Sequence, residues 1–321
     1  METTEQIKEE VKQKYKRLPI DNSGSLLDLG SIRIKSPQNL VIISFPKSGK
    51  TMSMMNVPKM LIIDAERGTD YFPVNNKADL LDEAVEGMFE PTKKYGYIPK
   101  TIYDLVTELY QANGMKDYWE LRNKFDIERN LETKEKMYQE LLVQINKMPF
   151  PICIVDTITS LVNISNSAAL YEYNLSVKPV SQISDIKRAD EYGGVRMIRR
   201  KFDEIKRFIE QNAAPFLVYN GHIGLKKKIL RKEEEEVSVL DIALEGVLST
   251  IFTIKADSVA TFYRNEKGCY LDFLKKEETA LGSRPFHLSN KLIKIADLLK
   301  DGEIQPKTYW SAIFPEIKFG N

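Results

Sequence analysis

The sequence has few of the residues that build disulfide frameworks or zinc sites. It contains only two cysteines and two histidines in 321 residues, and Cys153 lies in an apolar run typical of a buried strand. We therefore expect no disulfide scaffold, and too few ligands remain for a structural zinc site. An excess of charge is also missing, because 47 Lys and Arg face 46 Asp and Glu. Any site for a polyanion must therefore be a local patch.

Long apolar runs are missing too. No run approaches the roughly 20 residues of a membrane helix, and the charged N-terminal stretch lacks the apolar core of a secretory signal. We expect a soluble, cytoplasmic protein with reduced cysteines and no membrane partner. A composition of 42% hydrophobic and 29% charged residues is typical of globular proteins, and the length suits a large α/β domain.

Four short apolar runs predict strands. Each is nearly continuously apolar, as in strands of a parallel sheet that is covered on both faces. Helical patterns lie between them, so the alternation predicts a doubly wound α/β core with a mainly parallel sheet flanked by helices. The four runs are residues 39–44, 60–64, 151–156 and 214–220.

The chain divides into three predicted parts. Residues 1–37 comprise an N-terminal helix at 3–16 and a linker, residues 38–290 form the core, and residues 291–321 are a C-terminal extension. The helix is predicted by Ile7, which starts an apolar stripe with four-residue spacing.

Four segments within the core carry further predictions. The interval 67–150 indicates a helical insertion at the sheet edge, and the polar stretch 162–192 indicates a mobile loop. Residues 193–212 have the apolar stripe of an amphipathic helix. Residues 258–275 predict a C-terminal β-hairpin whose turn ends at Gly268.

A candidate phosphate-binding loop follows the first predicted strand. "SFPKSGKT" resembles G-x-x-x-x-G-K-[ST], with Ser44 where the pattern has glycine. Strand, loop and helix start occur in the order that lets backbone N–H groups and a helix dipole surround phosphates. Lys50 is predicted to reach the β- and γ-phosphates, Thr51 is predicted to hold Mg²⁺, and a glycine in place of Ser44 should change little. The predicted nucleotide-binding residues are Ser44, Pro46, Lys47, Ser48, Gly49, Lys50 and Thr51.

Three polar residues at the ends of later strands complete the predicted site. Asp156 closes the third strand and is predicted to hold Mg²⁺ through water. Glu66 follows the second strand and is predicted to act as the base that activates water, the alternative being an ordinary solvated strand end. His222 follows the fourth strand, either as a sensor of the γ-phosphate or as a structural turn residue.

The motifs taken together resemble a known family. Beyond the phosphate loop, they are "LIIDAERGT", "CIVDTITSL", "EYGG", "LVYNGHIGLKKK", "ADSVATFYR" and "GSRPFHLS". Over about residues 38–290 the chain resembles the phage RecA-like nucleotide-binding ATPases, which include the Sak-type single-strand annealing proteins.

The resemblance implies a RecA-like core that binds ATP and Mg²⁺ and assembles into a homo-oligomeric ring or filament. It further implies action on single-stranded DNA in phage recombination or replication, in the host cytoplasm. A single-strand DNA-binding protein is a further candidate partner. In that family Lys50, Thr51 and Asp156 would bind the nucleotide and Mg²⁺, Glu66 would be the catalytic glutamate, and His222 the sensor.

Two segments are candidates for DNA binding. The first is a basic run after the fourth strand, although four glutamates follow it at once, so a solvated hairpin is the alternative. Its residues are Lys226, Lys227, Lys228, Arg231 and Lys232. The second is the loop 162–192, where aromatic side chains would stack on bases and cations would follow the backbone. Its residues are Tyr171, Tyr173, Lys178, Lys187 and Arg188.

A ring or filament ATPase usually completes its site with a cation from a neighbouring subunit. The sequence leaves four candidates open: Arg264, Lys275, Lys276 and Arg284.

Three alternative functions share the phosphate loop. A hexameric replicative helicase motor would use the same core for translocation. A small-molecule kinase would usually carry an Arg-rich lid, whereas the nearest Arg cluster here lies on the amphipathic helix 193–212. A nucleotide-binding scaffold without turnover would not need Glu66.

Overall fold

One mixed β-sheet runs through the protein. The computed structural model describes residues 32–80, 88–176, 181–189, 193–229, 236–244, 247–274, 281–299, 304–306 and 308–320. The predicted helix at 3–16 lies outside these ranges. The strands are β1 (Asn39–Ser44), β2 (Met60–Asp64), β3 (Lys77–Asp79), β4 (Phe89–Thr92), β5 (Gly96–Pro99), β6 (Ile152–Asp156), β7 (Phe216–Ile229), β8 (Glu236–Ile242), β9 (Ser258–Asn265), β10 (Gly268–Asp272), β11 (Gly282–Ser283), β12 (Leu292–Leu298) and β13 (Ile304–Pro306).

Helices connect these strands. They are α1 (Lys100–Ala112), α2 (Met115–Ile127), α3 (Leu131–Lys147), α4 (Ile158–Ser176), α5 (Ile183–Ala189), α6 (Gly193–Asn212) and α7 (Val247–Lys255). Among the helices of the described ranges, none is both long and apolar enough to cross a membrane.

The order of the strands confirms the expected α/β architecture. The main path through the sheet is β13-β12-β10-β9-β1-β7-β6-β2-β3, while β11 pairs with β9 and β8 with β7. The six strands from β9 to β3 are mutually parallel, and β10, β12 and β13 extend the sheet antiparallel. The sheet is therefore mixed but mostly parallel, with helices on its faces.

Alternating residues of the central strands enter two separate cores. Val41 and its equivalents in neighbouring strands pack with α1, α4, α6 and α7. Leu40 and its equivalents pack with α2, α3 and the C-terminal segment, which contributes Trp310 and Phe314. Burial on both faces explains why the strand sequences are continuously apolar, and each such side chain stabilises the fold by about 1.5–3 kcal/mol.

The prediction of a mobile loop at 162–192 was wrong. Helices α4 and α5 occupy most of this segment. Leu161, Ile164 and Ala168 recur at helical spacing and are buried, and the hydroxyl of buried Ser165 donates to the carbonyl of Leu161 at 2.7 Å. Serine satisfied by its own helix can be buried, so the polar composition concealed a core helix.

The interval 67–150 is more than a set of helices. It contains α1, α2 and α3, but its strand β3 also extends the main sheet beside β2, and β4 and β5 form a separate hairpin. The helix predicted to end at Gly114 ends at Ala112, and Gly114, with φ of 58°, precedes α2.

The C-terminal segment likewise belongs to the sheet, since it supplies β12 and β13. Two other predictions are confirmed. Helix α6 spans Gly193–Asn212, and the hairpin of β9 and β10 turns before Gly268.

Candidate functional site

The carboxyl ends of β1, β2 and β6 meet the middle of β7 at the predicted site. The prediction that the fourth strand ends at residue 220 was wrong, because β7 continues to Ile229 as a partner of β8 after its parallel pairing with β1 ends at His222. The register pairs Ser44 of β1 with His222 of β7, and Asp156 of β6 with both Asn220 of β7 and Asp64 of β2. Residues far apart in sequence thus meet at one edge of the sheet, where ligands of open parallel sheets usually bind.

The candidate phosphate loop leaves β1 in a conformation that needs glycine. Gly49 has φ of 99°, and a Cβ at this position would lie 2.6 Å from Ile304 Cδ1 of β13. The predicted helix after the loop shrinks to a single 3₁₀ turn at Thr51–Ser53. Asn56 has φ of 57° and Pro58 disfavours helix at the residue before it, so the helix cannot continue.

Lys50 is buried beneath the loop. Its Nζ donates to Ser44 Oγ at 2.8 Å and to the carbonyl oxygen of Gly221 at 3.1 Å, and Ser44 Oγ lies 2.6 Å from Ser48 Oγ. Ser44, where the pattern has glycine, thus holds the lysine. Burial lowers the pKa of the Lys50 ammonium, an effect opposed by the carboxylates of Asp156 and Glu66.

Thr51 and Asp156 form an oxygen pair beside Lys50. Thr51 Oγ1 donates to Asp156 Oδ2 at 2.5 Å, and Asn220 Nδ2 donates to Asp156 Oδ1 at 3.1 Å. Burial raises the pKa of Asp156, while Thr51, Asn220 and Lys50 act in the opposite direction. A hydroxyl and a carboxylate fit Mg²⁺, which binds few protein oxygens and completes its shell with water and phosphate. The described ranges contain no group of three or more His, Cys, Asp or Glu suited to a metal.

Glu66 faces this pair from the end of β2. Its Oε1 accepts hydrogen bonds from Thr157 Oγ1 and, at 3.3 Å, from Ser160 Oγ. His222 Nε2 lies 3.5 Å from the same oxygen, and 36% of the Glu66 side chain is exposed. The buried Nδ1 of His222 has no hydrogen-bond partner within the described residues. The carboxylate is thus held by hydroxyl groups but open to solvent.

Asp64 has a different role from its neighbour Glu66. Its fully buried carboxylate accepts hydrogen bonds from the backbone N–H groups of Glu66, Gly68 and Thr69 at 2.9–3.2 Å. It also accepts one from Thr69 Oγ1 at 2.5 Å. Asp64 therefore fixes the turn that presents Glu66.

The residues Asn220, Thr157 and Ser160 are absent from the sequence-based site. The sequence marks these residues only by their position next to the apolar part of a strand. Asn220 ends the apolar part of β7, and Thr157 and Ser160 directly follow β6.

The proposed DNA-binding residues receive little support from the geometry. Tyr171 stacks on Phe89 with a centroid separation of 4.5 Å and also contacts Tyr97, so its ring is not available to a base. The backbone of Lys226, Lys227 and Lys228 lies in β7, paired with β8. Arg231, Lys232 and Lys178, and the side chains of Lys226–Lys228, Lys187 and Arg188, lie outside the described part.

The candidate cations from a neighbour divide between the two ends of the sheet. Arg264 lies near the carboxyl end of β9, on the side of the phosphate loop. Arg284 lies at the opposite end, where it donates to the carbonyl of Ile254 at 2.9 Å and to Asp257 at 3.4 Å. Lys275 and Lys276 lie outside the described ranges.

A scan against protein-family models matched no family, and a search of curated proteins found no match.

Proposed function

We propose that the protein is a Mg²⁺-dependent ATPase with a RecA-like core that acts on single-stranded DNA. One observation carries the hydrolytic part of the proposal. Lys50, the Thr51–Asp156 pair and the solvent-accessible Glu66 converge at the ends of adjacent strands. The DNA part is supported by the family resemblance of the sequence motifs.

The side chains suit distinct roles in hydrolysis. Lys50 and the loop amides would bind the phosphates. Thr51 and, through water, Asp156 would hold Mg²⁺, which supplies charge neutralisation on the phosphate oxygens when bound. Glu66 would orient a water molecule and accept its proton. As the water oxygen bonds to the γ-phosphorus, the bond from that phosphorus to the oxygen of the departing ADP breaks.

The environment favours Glu66 over Asp64 as the base. Both oxygens of Asp64 already accept hydrogen bonds from the following turn, whereas Glu66 is partly exposed. His222 lies in β7 close to Glu66. It is therefore suited to sense whether a γ-phosphate is bound and to transmit this along β7.

We predict that Glu66→Gln retains ATP binding but lowers kcat by about 10²–10⁴-fold, the usual contribution of a general base. Lys50→Ala should lose binding as well, because it removes the buried ammonium that is held beneath the loop by Ser44 and the carbonyl of Gly221. Binding is measured with a fluorescent ATP analogue and turnover by phosphate release. Asp70→Asn, which changes a partly exposed acid in an ion pair with Lys77, is the control. Undiminished turnover in Glu66→Gln excludes Glu66 as the base.

The DNA part is tested by adding single-stranded DNA to the ATPase assay and imaging particles with and without ATP and DNA. We expect faster hydrolysis and DNA-dependent rings or filaments. Unwinding of a forked duplex would instead assign a helicase motor, and phosphate transfer to a nucleoside or other metabolite would assign a kinase.

A further inference from the structure

A second cavity lies at the opposite end of the sheet from the phosphate loop. Its volume is about 420 Å³ and its lining includes Gln38 and Asp257, the residues just before β1 and β9. Because β1 and β9 run parallel, this places the cavity at their amino ends, whereas the phosphate loop follows the carboxyl end of β1. The walls come from residues 33–38, from Arg122 of α2 and from residues 284–287.

The cavity carries an excess of positive charge. Among its described lining residues, four are Arg or Lys and one, Asp257, is acidic. Asp257 already accepts hydrogen bonds from the backbone of Gln38 and Asn39, at 3.0 and 3.3 Å, and from Arg284. Two further carboxylates lie behind the lining, Glu316 on the backbone of Lys35 and Ser36 and Asp126 on Arg122. Arg33 and Lys35 are exposed and form no ion pair with another described residue. Both remain available to an anionic ligand.

Arg122 adds a buried donor. Its Nε contacts Asp126 at 3.0 Å, and the side chain is only 15% exposed. Its buried Nη1 has no acceptor in hydrogen-bond geometry within the described residues, although the guanidinium interacts with the Tyr118 hydroxyl and opposes the rise that burial causes in the pKa of that group. An unpaired guanidinium nitrogen is costly when buried, and a phosphate oxygen would satisfy it.

An aromatic side chain stands at the mouth of the cavity. Phe286 is 81% exposed, which leaves most of a large apolar ring in water. Burial lowers the pKa of its neighbour His287, which favours the neutral imidazole. Proteins that bind single-stranded nucleic acid combine these two kinds of group. The cations bind the phosphates, and the aromatic ring stacks on a base.

We propose that this cavity binds a nucleotide unit, with its phosphate on Arg33, Lys35 and Arg122 and its base against Phe286. The volume lies within the range of ligand pockets, about 300–1,000 Å³. The unit is either a free nucleotide or one residue of a single-stranded DNA; the chemistry is shared. The proposal rests on this cavity and not on hydrolysis at the phosphate loop.

Binding of single-stranded DNA to the cavity is tested with fluorescently labelled oligothymidylate, which is titrated without ATP at several salt concentrations. Arg33→Ala/Lys35→Ala should weaken binding at least fivefold at low salt. It should also reduce the slope of log K against log salt by about 1.4, or 0.7 for each phosphate that is no longer neutralised. Phe286→Ala should weaken binding about fivefold or more with the slope unchanged, because stacking carries no charge. Lys93→Ala/Lys136→Ala removes two exposed cations elsewhere and is the matched control.

Binding of a free nucleotide to the cavity is tested by equilibrium dialysis of dTMP. The protein used is Lys50→Ala, because its phosphate loop is impaired and does not add to the binding. Loss of dTMP binding in the cavity variants supports a mononucleotide site, and loss of oligothymidylate binding alone supports a strand site. Either result is interpreted only for variants whose Tm equals that of the parent.

Three outcomes overturn the proposal. The first is unchanged affinity and salt slope for both ligands, and the second is the absence of measurable binding of either ligand to the unmodified cavity. The third is altered self-association of the cavity variants with nucleotide binding intact, which would assign the cavity to a second copy of the chain. Failure of the proposed ATPase appears separately, as absence of phosphate release from the unmodified protein.

Discussion

At the scale of single residues, Asp156 and Lys50 are charged groups that are costly to bury. Burial raises the pKa of Asp156 above its ordinary 3.8, so between the two values the folded protein binds more protons than the unfolded chain. Stability therefore falls as pH rises through this window and stays lower above it. Lys50 has its pKa lowered from 10.5, so its contribution to stability rises with pH towards that value.

Asp156→Asn should stabilise the protein and abolish hydrolysis. The amide removes a buried charge, accepts a hydrogen bond from Asn220 and donates one to the Thr51 hydroxyl. We expect Tm at pH 7 without nucleotide to rise by ~2 °C, about 1 kcal/mol, with a flatter dependence on pH in the acid range. Scanning calorimetry at several pH values measures Tm, and the phosphate-release assay measures hydrolysis. A lower Tm at pH 7 would mean that the ionised carboxylate stabilises the fold.

Gly49→Ala should strain the phosphate loop. The residue has φ of 99°, and the new Cβ would approach Ile304 to 2.6 Å. We expect the free energy of unfolding, from urea titration, to fall by about 1–3 kcal/mol, with weaker ATP binding. Gly68→Ala, where φ is not positive and no atom lies within 4 Å, should be nearly neutral. Adding Ile304→Ala should relieve the contact but not the backbone strain.

At the scale of elements, buried Lys201 fastens helix α6 to its surroundings. Its Nζ contacts Glu172 of α4 at 2.5 Å, Glu204 of α6 at 2.7 Å and the carbonyl of Tyr95 at 3.1 Å. One fully buried cation thus joins two helices to the turn between β4 and β5. Such an ion group fixes an arrangement more than it adds to stability.

Lys201→Met should destabilise the protein by about 3–5 kcal/mol, because it removes the buried cation nearest to two largely buried carboxylates. The more exposed Arg200 then remains to them at 3.4–3.6 Å. Urea unfolding measures the effect. Lys255→Met breaks a more exposed pair with Asp203 and should cost at most about 1 kcal/mol. If both substitutions cost the same, the buried group does not hold the helices.

The elements that the sequence predicts well are those with one dominant signal. Strands β1, β2 and β6 are continuously apolar, and α6 has a clear apolar stripe. Helix α4 was missed because polar residues, such as the buried Ser165, interrupt its apolar positions Leu161, Ile164 and Ala168.

The site was predicted as a set of residues but not as a set of contacts. The loop pattern identifies Lys50 and Thr51, yet the hydrogen bonds of Ser44, Thr157 and Asn220 follow from strand order and register. Local sequence does not encode that order, because β7 and β6 insert between β1 and β2. For the same reason the sequence could not distinguish Asp64, which caps a turn, from Glu66.

At the scale of the whole molecule, the C-terminal segment supports the phosphate loop. Ile304 lies so close to the loop that a Cβ on Gly49 would be 2.6 Å from its Cδ1, and buried Trp310 donates from Nε1 to the carbonyl of Ser53 at 3.3 Å. Trp310 and Phe314 also fill the core beneath α2 and α3. The 3₁₀ turn that replaces a longer helix after the loop is thus held by the far end of the chain.

A chain ending at Leu299 should not fold stably. It loses Trp310, Ile313, Phe314 and Ile317, all buried, and each contributes about 1.5–3 kcal/mol, against a usual net stability of about 5–15 kcal/mol. We expect loss of the cooperative transition in circular dichroism on heating. A chain ending at Phe319 is the control. Native-like unfolding of the shorter chain would show that the segment is dispensable.

The strand order has a consequence for how the chain is made. Lys50 bonds to Gly221 across 171 positions, and Thr51 to Asp156 across 105. During synthesis the phosphate loop therefore emerges long before the strands that complete it. Parallel pairings of such separation form slowly, and β1 and β2 must leave room for two later strands. The proposed nucleotide site is consequently complete only after β6 and β7 have been inserted, and a ligand that spans these strand ends stabilises only molecules in which that has happened.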